Sequence, residues 1–217
     1  MITSIEASIG AGKSTILYHL KKSYEDIEVK LEPYKLNKVL PLFYKDPERW
    51  AFACQLNFLL LRGKLLELLF MNSLGGEDFI VERTILSDRF TFAEMLFEDK
   101  KICPEEWDSY LTLFKIFTPR IPDLVFYINE TAENCQKQIM KRGRDMEKFL
   151  MTSEGLIYLK QLEAKHWQNM KKLGKKIVIM GGDKADIPLP ESASDRAALI
   201  YDYIKNYKKE LEVKEGV

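Results

Sequence analysis

The stretch IEASIGAGKST, residues 5–15, carries Gly12, Lys13 and Ser14 in the spacing of a phosphate-binding loop, G-x-x-x-x-G-K-[ST], with Ala7 where the first glycine usually stands. Successive backbone N–H groups of Ser8, Ile9, Gly10, Ala11 and Gly12 would form an anion nest, capped by the N-terminus of a helix that runs on through Thr15. Lys13 has the reach for the β- and γ-phosphates of a nucleotide, and the Ser14 hydroxyl is a ligand type for Mg²⁺. Glycine is obligatory only where φ is positive or where a Cβ would strike the ligand. Ala7 is therefore expected at negative φ with the nest intact; positive φ would cost about 1–2 kcal/mol.

Other charged residues could complete such a site. Glu32 follows an apolar run and precedes Pro33. A kinase acting on a hydroxyl needs a proton acceptor near the γ-phosphate, though an exposed acid at a strand end fits the same pattern. Glu82 and Arg83 close the run FIVE-R, where many ATPases with this loop place an aspartate that helps hold Mg²⁺. Lys141, Arg142 and Arg144 flank Gly143. Arginines suit the charge on a transferring phosphoryl group, and the glycine suits a mobile lid over about residues 141–152. A solvated basic helix end is the alternative.

These residues need elements to hold them. Five runs read as strands: TSIEA, IEVKLE, DFIVE, DLVFYI and KKIVIMG. Between them lie longer amphipathic stretches, a pattern that argues for an α/β domain with strands buried on both faces of a parallel sheet. Helices are expected over STILYHLKKSY, over the stretch beginning at Pro47, and over the stretch beginning at Pro104. Thr131 is the expected N-cap of another, and SEGLIYLKQLEAKHWQNMKKL is expected to run to a C-cap at Gly174. Ligands of open α/β sheets sit beyond the carboxyl ends of the strands, and three of these runs end in the loop, at Glu32 and at Glu82–Arg83.

The totals set outer bounds. The chain has 217 residues, 46% hydrophobic, so a single domain over residues 1–217 is the default, with a frayed tail over about 206–217. Lysine plus arginine number 33 and aspartate plus glutamate 33, without the basic excess that a nucleic-acid polymer partner calls for. Cys54, Cys103 and Cys135 are scattered with no C-x-x-C, which argues against zinc and disulfides and for a reducing compartment. With no signal-peptide pattern in MITSIEAS and no apolar run, FLLL included, near the roughly 20 residues that span a bilayer, an intracellular, cytoplasmic protein without a membrane segment is expected.

The ordered set of the loop, EP, YKDPERWAF-CQ, ERTILSDRF and RGRDMEK resembles the deoxynucleoside kinase family, over residues 1 to about 185. The resemblance implies a five-stranded parallel sheet flanked by helices, an arginine-rich lid and a homodimer. It implies transfer of the γ-phosphoryl group of ATP, with Mg²⁺, to a nucleoside 5′-hydroxyl. Glu32 then matches the base near that hydroxyl, Arg83 its neighbour, and Glu82 with Ser14 the metal ligands. Gln55 matches a reader of the base edge, Phe92 an aromatic that stacks on the base, and Tyr44 with Glu147 the pair on the sugar 3′-hydroxyl. Arg142 and Arg144 match the lid arginines. Arg62 and Asp88 match a charged pair of members that accept deoxycytidine and purine deoxynucleosides, and Phe58 stands where a small residue is usual, near the base. A weak preference against thymidine is expected.

Besides Ala7, Thr84 replaces a commoner serine, Asn37 stands where a tryptophan near the base is frequent, and Gln138 replaces an arginine before the lid. Two rivals stay open. A nucleoside monophosphate kinase would need further cations near the acceptor, for which Lys35 and Lys38 are available. A non-catalytic nucleotide-binding regulator would explain Ala7. The apolar helices around residues 50–70 and 105–117 suit a buried interface or a plain core equally.

Overall fold

A computed structural model describes residues 1–117 and 121–215. The five apolar runs pair as one parallel sheet: β1 (Ile2–Glu6), β2 (Glu28–Lys30), β3 (Phe79–Glu82), β4 (Leu124–Ile128) and β5 (Lys176–Met180), in the order β2-β3-β1-β4-β5. Central β1 sets Ile5 against Glu82 on one side and Phe126 on the other, so the carboxyl ends of β1, β3 and β4 share one edge. The second strand stops at Lys30, short of the expected run to Glu32. It lies at the sheet edge with β3 as its neighbour, and among the described residues nothing on the outer side extends the pairing.

The helices come in chain order: α1 (Lys13–Ser23), α2 (Leu40–Phe43), α3 (Pro47–Ser73), α4 (Ile85–Ser87), a π-helix (Asp88–Ala93), α5 (Glu94–Glu98), α6 (Pro104–Ile116), α7 (Ala132–Arg142), α8 (Ser153–Asn169) and α9 (Ala193–Glu215). Pro47 and Pro104 open α3 and α6 as their fixed φ favours, and the Thr131 hydroxyl accepts the Asn134 amide as N-cap of α7. Alternation along the strands splits the core in two. Ile2, Phe79, Val81 and Val125 pack with α3 and α6, whereas Ile5, Ile80, Phe126 and Val178 pack with α1 and α9.

Two expectations fail in this fold. Residues 206–215 are the last turns of α9, not a frayed tail. Tyr207 packs on the core, and the Lys208 ammonium reaches Asp78 at 2.6 Å, which holds the helix down; residues 216–217 lie outside the described residues. Gly174 is no left-handed C-cap, because α8 ends at Asn169 and a 3₁₀ turn, Met170–Lys172, intervenes. A Cβ on Gly174 would lie 2.3 Å from Val125, so the glycine serves close approach to β4. Among the described residues no helix is long and apolar enough to cross a membrane.

Candidate active site

The loop after β1 takes its shape from two left-handed glycines, Gly10 at φ 91° and Gly12 at φ 82°. A Cβ on Gly10 would lie 2.4 Å from the Cys135 carbonyl, so α7 packs directly on the loop backbone. Ala7 is outside the positive-φ residues and its methyl is buried in the α1-side core. Its carbonyl accepts Lys13 Nζ at 3.2 Å and Arg83 Nη2 at 3.0 Å. Lys13 also donates to the Ser8 carbonyl at 2.8 Å. Burial, with Arg83 nearby, pulls the Lys13 pKa down to about 7 against the pull of Glu82 and Glu32.

One cavity lies above the strand ends. Ile9, Gly10, Gly12, Lys13, Ser14 and Thr15 form its phosphate-loop wall. Ser8 and Ala11, both 2% exposed, stay behind that wall; Ser8 meets the site through its carbonyl, and Ala11 packs inward. Glu82 turns one oxygen to the Ser14 hydroxyl at 2.8 Å and the other to the Glu32 amide at 3.2 Å. The loop, the end of β3 and the exit from β2 are thus joined through one carboxylate.

Glu32 is held on both oxygens, Oε1 by Arg62 and Oε2 by Arg83 at 3.1 Å. Burial pushes its carboxyl up, but Arg62, Arg83 and Lys13 outweigh burial and leave the pKa below the ordinary value. Arg62, 3% exposed on α3, extends its other nitrogen to Asp88 and lies 4.5 Å over the Phe58 ring. Asp88 and Phe92 both sit on the π-helix, a rare geometry that recurs at functional sites. Phe92 carries the Arg83 guanidinium at 4.9 Å and meets His166 edge-on behind it. Asp88 Oδ2 and Gln55 Oε1 are buried without partners, two acceptors at the wall of the cavity.

At the far wall Arg142 grips Glu147 with two bonds of 2.7 Å, and Arg144 approaches the same carboxylate at 3.5 Å. Gly143, at φ 61°, ends α7 between them, and the 3₁₀ turn Asp145–Met151 brings Glu147 back. Tyr34 lies 4.6 Å under the Arg144 guanidinium. Tyr44 lines the cavity beside Glu147, its hydroxyl kept protonated by burial and by the neighbouring Tyr158 and Glu147.

The expected residues therefore converge, apart from Ser8 and Ala11. Asn37 does not line the cavity. Its amide donates to the Cys54 carbonyl at 3.1 Å, leaving Leu40, Phe43 and Cys54 as the wall there. Lys35 and Lys38 are exposed and do not line the cavity. Sequence reasoning missed Tyr158, which lines the cavity and whose helical spacing reads as core, and passed over Glu6, a carboxylate buried at the end of β1 and outside the cavity lining. A buried acid is rare enough to have been its own signal.

The deoxynucleoside kinase family model matches residues 3–206. A probable deoxycytidine kinase of fowlpox virus (strain NVSL) is 30% identical over 212 residues, 93% of this chain and 87% of the viral protein. A deoxyguanosine kinase of Lactobacillus acidophilus is 32% identical over 216 residues, 95% of this chain and 90% of the relative. The solved structure of deoxyadenosine kinase from M. mycoides, with products dCMP and a flexible dCDP bound, shares the fold at a TM-score of 0.72 and 22% identity, covering 95% of this chain and all of that one (100%). A family model that spans nearly the whole chain and relatives at 30% identity and above agree with the phosphate loop and the buried carboxylate at the strand ends, and the chain belongs to the deoxynucleoside kinase family.

Proposed function

We propose that this kinase transfers the γ-phosphoryl group of ATP to the 5′-hydroxyl of a deoxyribonucleoside, with Glu32 as proton acceptor, and favours cytosine and purine bases over thymine. The observation that carries the reading is Glu32, placed between Arg62 and Arg83 at the mouth of the phosphate loop. The hydroxyl oxygen attacks the γ-phosphorus, its proton passes to Glu32, and ADP leaves. Lys13 and Arg83 lie where charge develops on the phosphoryl oxygens, and Arg142 and Arg144 add to it once drawn from Glu147. Tyr44 and Glu147 take the sugar 3′-hydroxyl.

Mg²⁺ suits the pair formed by Ser14 and Glu82. It is ordinarily held by one or two protein oxygens together with phosphates, and among the described residues no three His, Cys, Asp or Glu side chains form a cage for it. When bound it neutralises the β- and γ-oxygens.

The base preference rests on the two unpartnered acceptors. Asp88 Oδ2 and Gln55 Oε1 call for N–H donors, which the exocyclic amines of cytosine, adenine or guanine supply, whereas thymine has no exocyclic amine and offers only its ring N3–H. Phe92 offers a ring for the base to stack on, and Phe58 narrows the same wall. Leu60 and Leu68 on α3 and Ile116 on α6 are exposed, which supports a helical interface between two copies. Three free cysteines suit a reducing, cytoplasmic setting.

A steady-state panel of deoxycytidine, deoxyadenosine, deoxyguanosine and thymidine against ATP tests the reading. Thymidine as best substrate would sink the preference; turnover of none would sink the function.

A further inference from the structure

Glu6 ends β1 with its side chain 0% exposed, on the sheet face that it shares with Ile2. Its Oε1 accepts the Thr84 amide at 3.0 Å, and Oε2 is buried without a hydrogen-bond partner. Burial pushes its pKa up to about 7, while Arg83, the Ser87 hydroxyl, Arg62 and Lys13 pull it down. No step of the phosphoryl transfer uses it. Yet a buried carboxyl of this kind is costly to keep unless it holds something in place.

Its contact is the turn after β3. Arg83 there has φ 62°, a left-handed conformation that a side chain with a Cβ adopts at a cost. The turn is pinned on both sides, by Arg83 N–H to the Ile5 carbonyl at 3.2 Å and by Thr84 N–H to Glu6. That backbone sends the guanidinium back over the loop, to the Ala7 carbonyl at 3.0 Å and to Glu32 at 3.1 Å. In an extended conformation the side chain would leave along a different direction.

We propose that Glu6 is the positioning residue for Arg83: through the Thr84 amide it holds the left-handed turn that aims the guanidinium at the phosphate loop and at Glu32. The role rests on Arg83 serving the transfer site. Reach, rather than charge, is what the role requires. Glutamine keeps an oxygen at the same distance, whereas aspartate keeps the charge one methylene short.

The test compares Glu6→Gln, Glu6→Asp and Arg83→Lys, singly and combined. Glu6→Asp should lower kcat about 100-fold, the scale of a small misplacement at a reacting centre, and Glu6→Gln should stay within about fivefold of the parent. In the Arg83→Lys background Glu6→Asp should cost little more, since the group that Glu6 positions is already gone. Multiplying losses would overturn the proposal, as would a Glu6→Gln variant as impaired as Glu6→Asp. The Arg83 guanidinium NMR signal, identified by its loss in Arg83→Lys, gives a readout without turnover. It should be resolved and restrained in the parent and in Glu6→Gln, and averaged in Glu6→Asp. An unchanged signal in Glu6→Asp overturns the proposal even if the parent phosphorylates no nucleoside, a result that would sink the transfer reading alone.

Discussion

Arg62 and Glu32 are paired across the floor of the cavity, and the same guanidinium holds Asp88. The cavity wall at Glu32 and the wall at Asp88 are therefore joined through one side chain. Neither carboxylate can move without changing the charge balance of the other.

Arg62→Met should be more damaging than the loss of one surface pair. Asp88 is 1% exposed, and without Arg62 it becomes an uncompensated buried charge. Breaking such a pair typically costs about 3–5 kcal/mol. Asp88→Asn in the same chain should recover part of that loss in urea unfolding. Strictly additive losses would show that the two residues are not energetically coupled.

Glu32→Gln should separate chemistry from binding. Removing the proton acceptor should lower kcat by about 10²–10⁴-fold. Calorimetric titration with ATP should change little, because Lys13 and the loop glycines remain. An equal loss in ATP affinity would place the effect of Glu32 in the fold rather than in the transfer.

ATP binding should take up protons. Burial and the neighbouring Arg83 bring Lys13 down from the ordinary 10.5 to about 7, so between these values its neutral form predominates. A triphosphate favours the ammonium form and raises that pKa, so binding draws a proton from solvent and weakens as pH rises through this window. Titration calorimetry in two buffers of different ionisation enthalpy reads the proton count. Net release would contradict this account of Lys13.

Two single-methyl changes in the loop should behave oppositely. Ala7→Gly removes a buried methyl from a residue without positive φ, and should cost about 1 kcal/mol of stability with ATP KM nearly unchanged. Gly10→Ala forces a Cβ to 2.4 Å from the Cys135 carbonyl at φ 91°, so ATP binding should be lost. Equal tolerance of both would mean that the loop does not depend on α7.

Where strong local patterns existed, the sequence was readable. The apolar strands, the phosphate loop and the acids at the strand ends announced one another, because β1, β3 and β4 end at a common edge. Other features depended on distant partners. The end of α9 reads as a charged tail until Asp78 is known to wait for Lys208. Asn37 looks like an altered base pocket until Cys54 is seen to take its amide. The left-handed Arg83 leaves no trace in ERT, since its supports, Ile5 and Glu6, lie 78 and 77 residues earlier in the sequence.

The π-helix over Asp88–Ala93 bears on how this scaffold can change. Its wider turn holds one residue more than an α-helical turn would, between α-helical flanks at Ile85–Ser87 and Glu94–Glu98. Deleting one residue there would let the segment close into a continuous α-helix, with the flanking helices keeping their faces because the wide turn had taken up the surplus residue. The residues inside the segment, Asp88 and Phe92 on the cavity wall, would take new directions, while the phosphate loop after β1 would stay as it is. This wall of the cavity is thus exposed to insertion and deletion, a route of divergence that leaves the phosphate loop untouched.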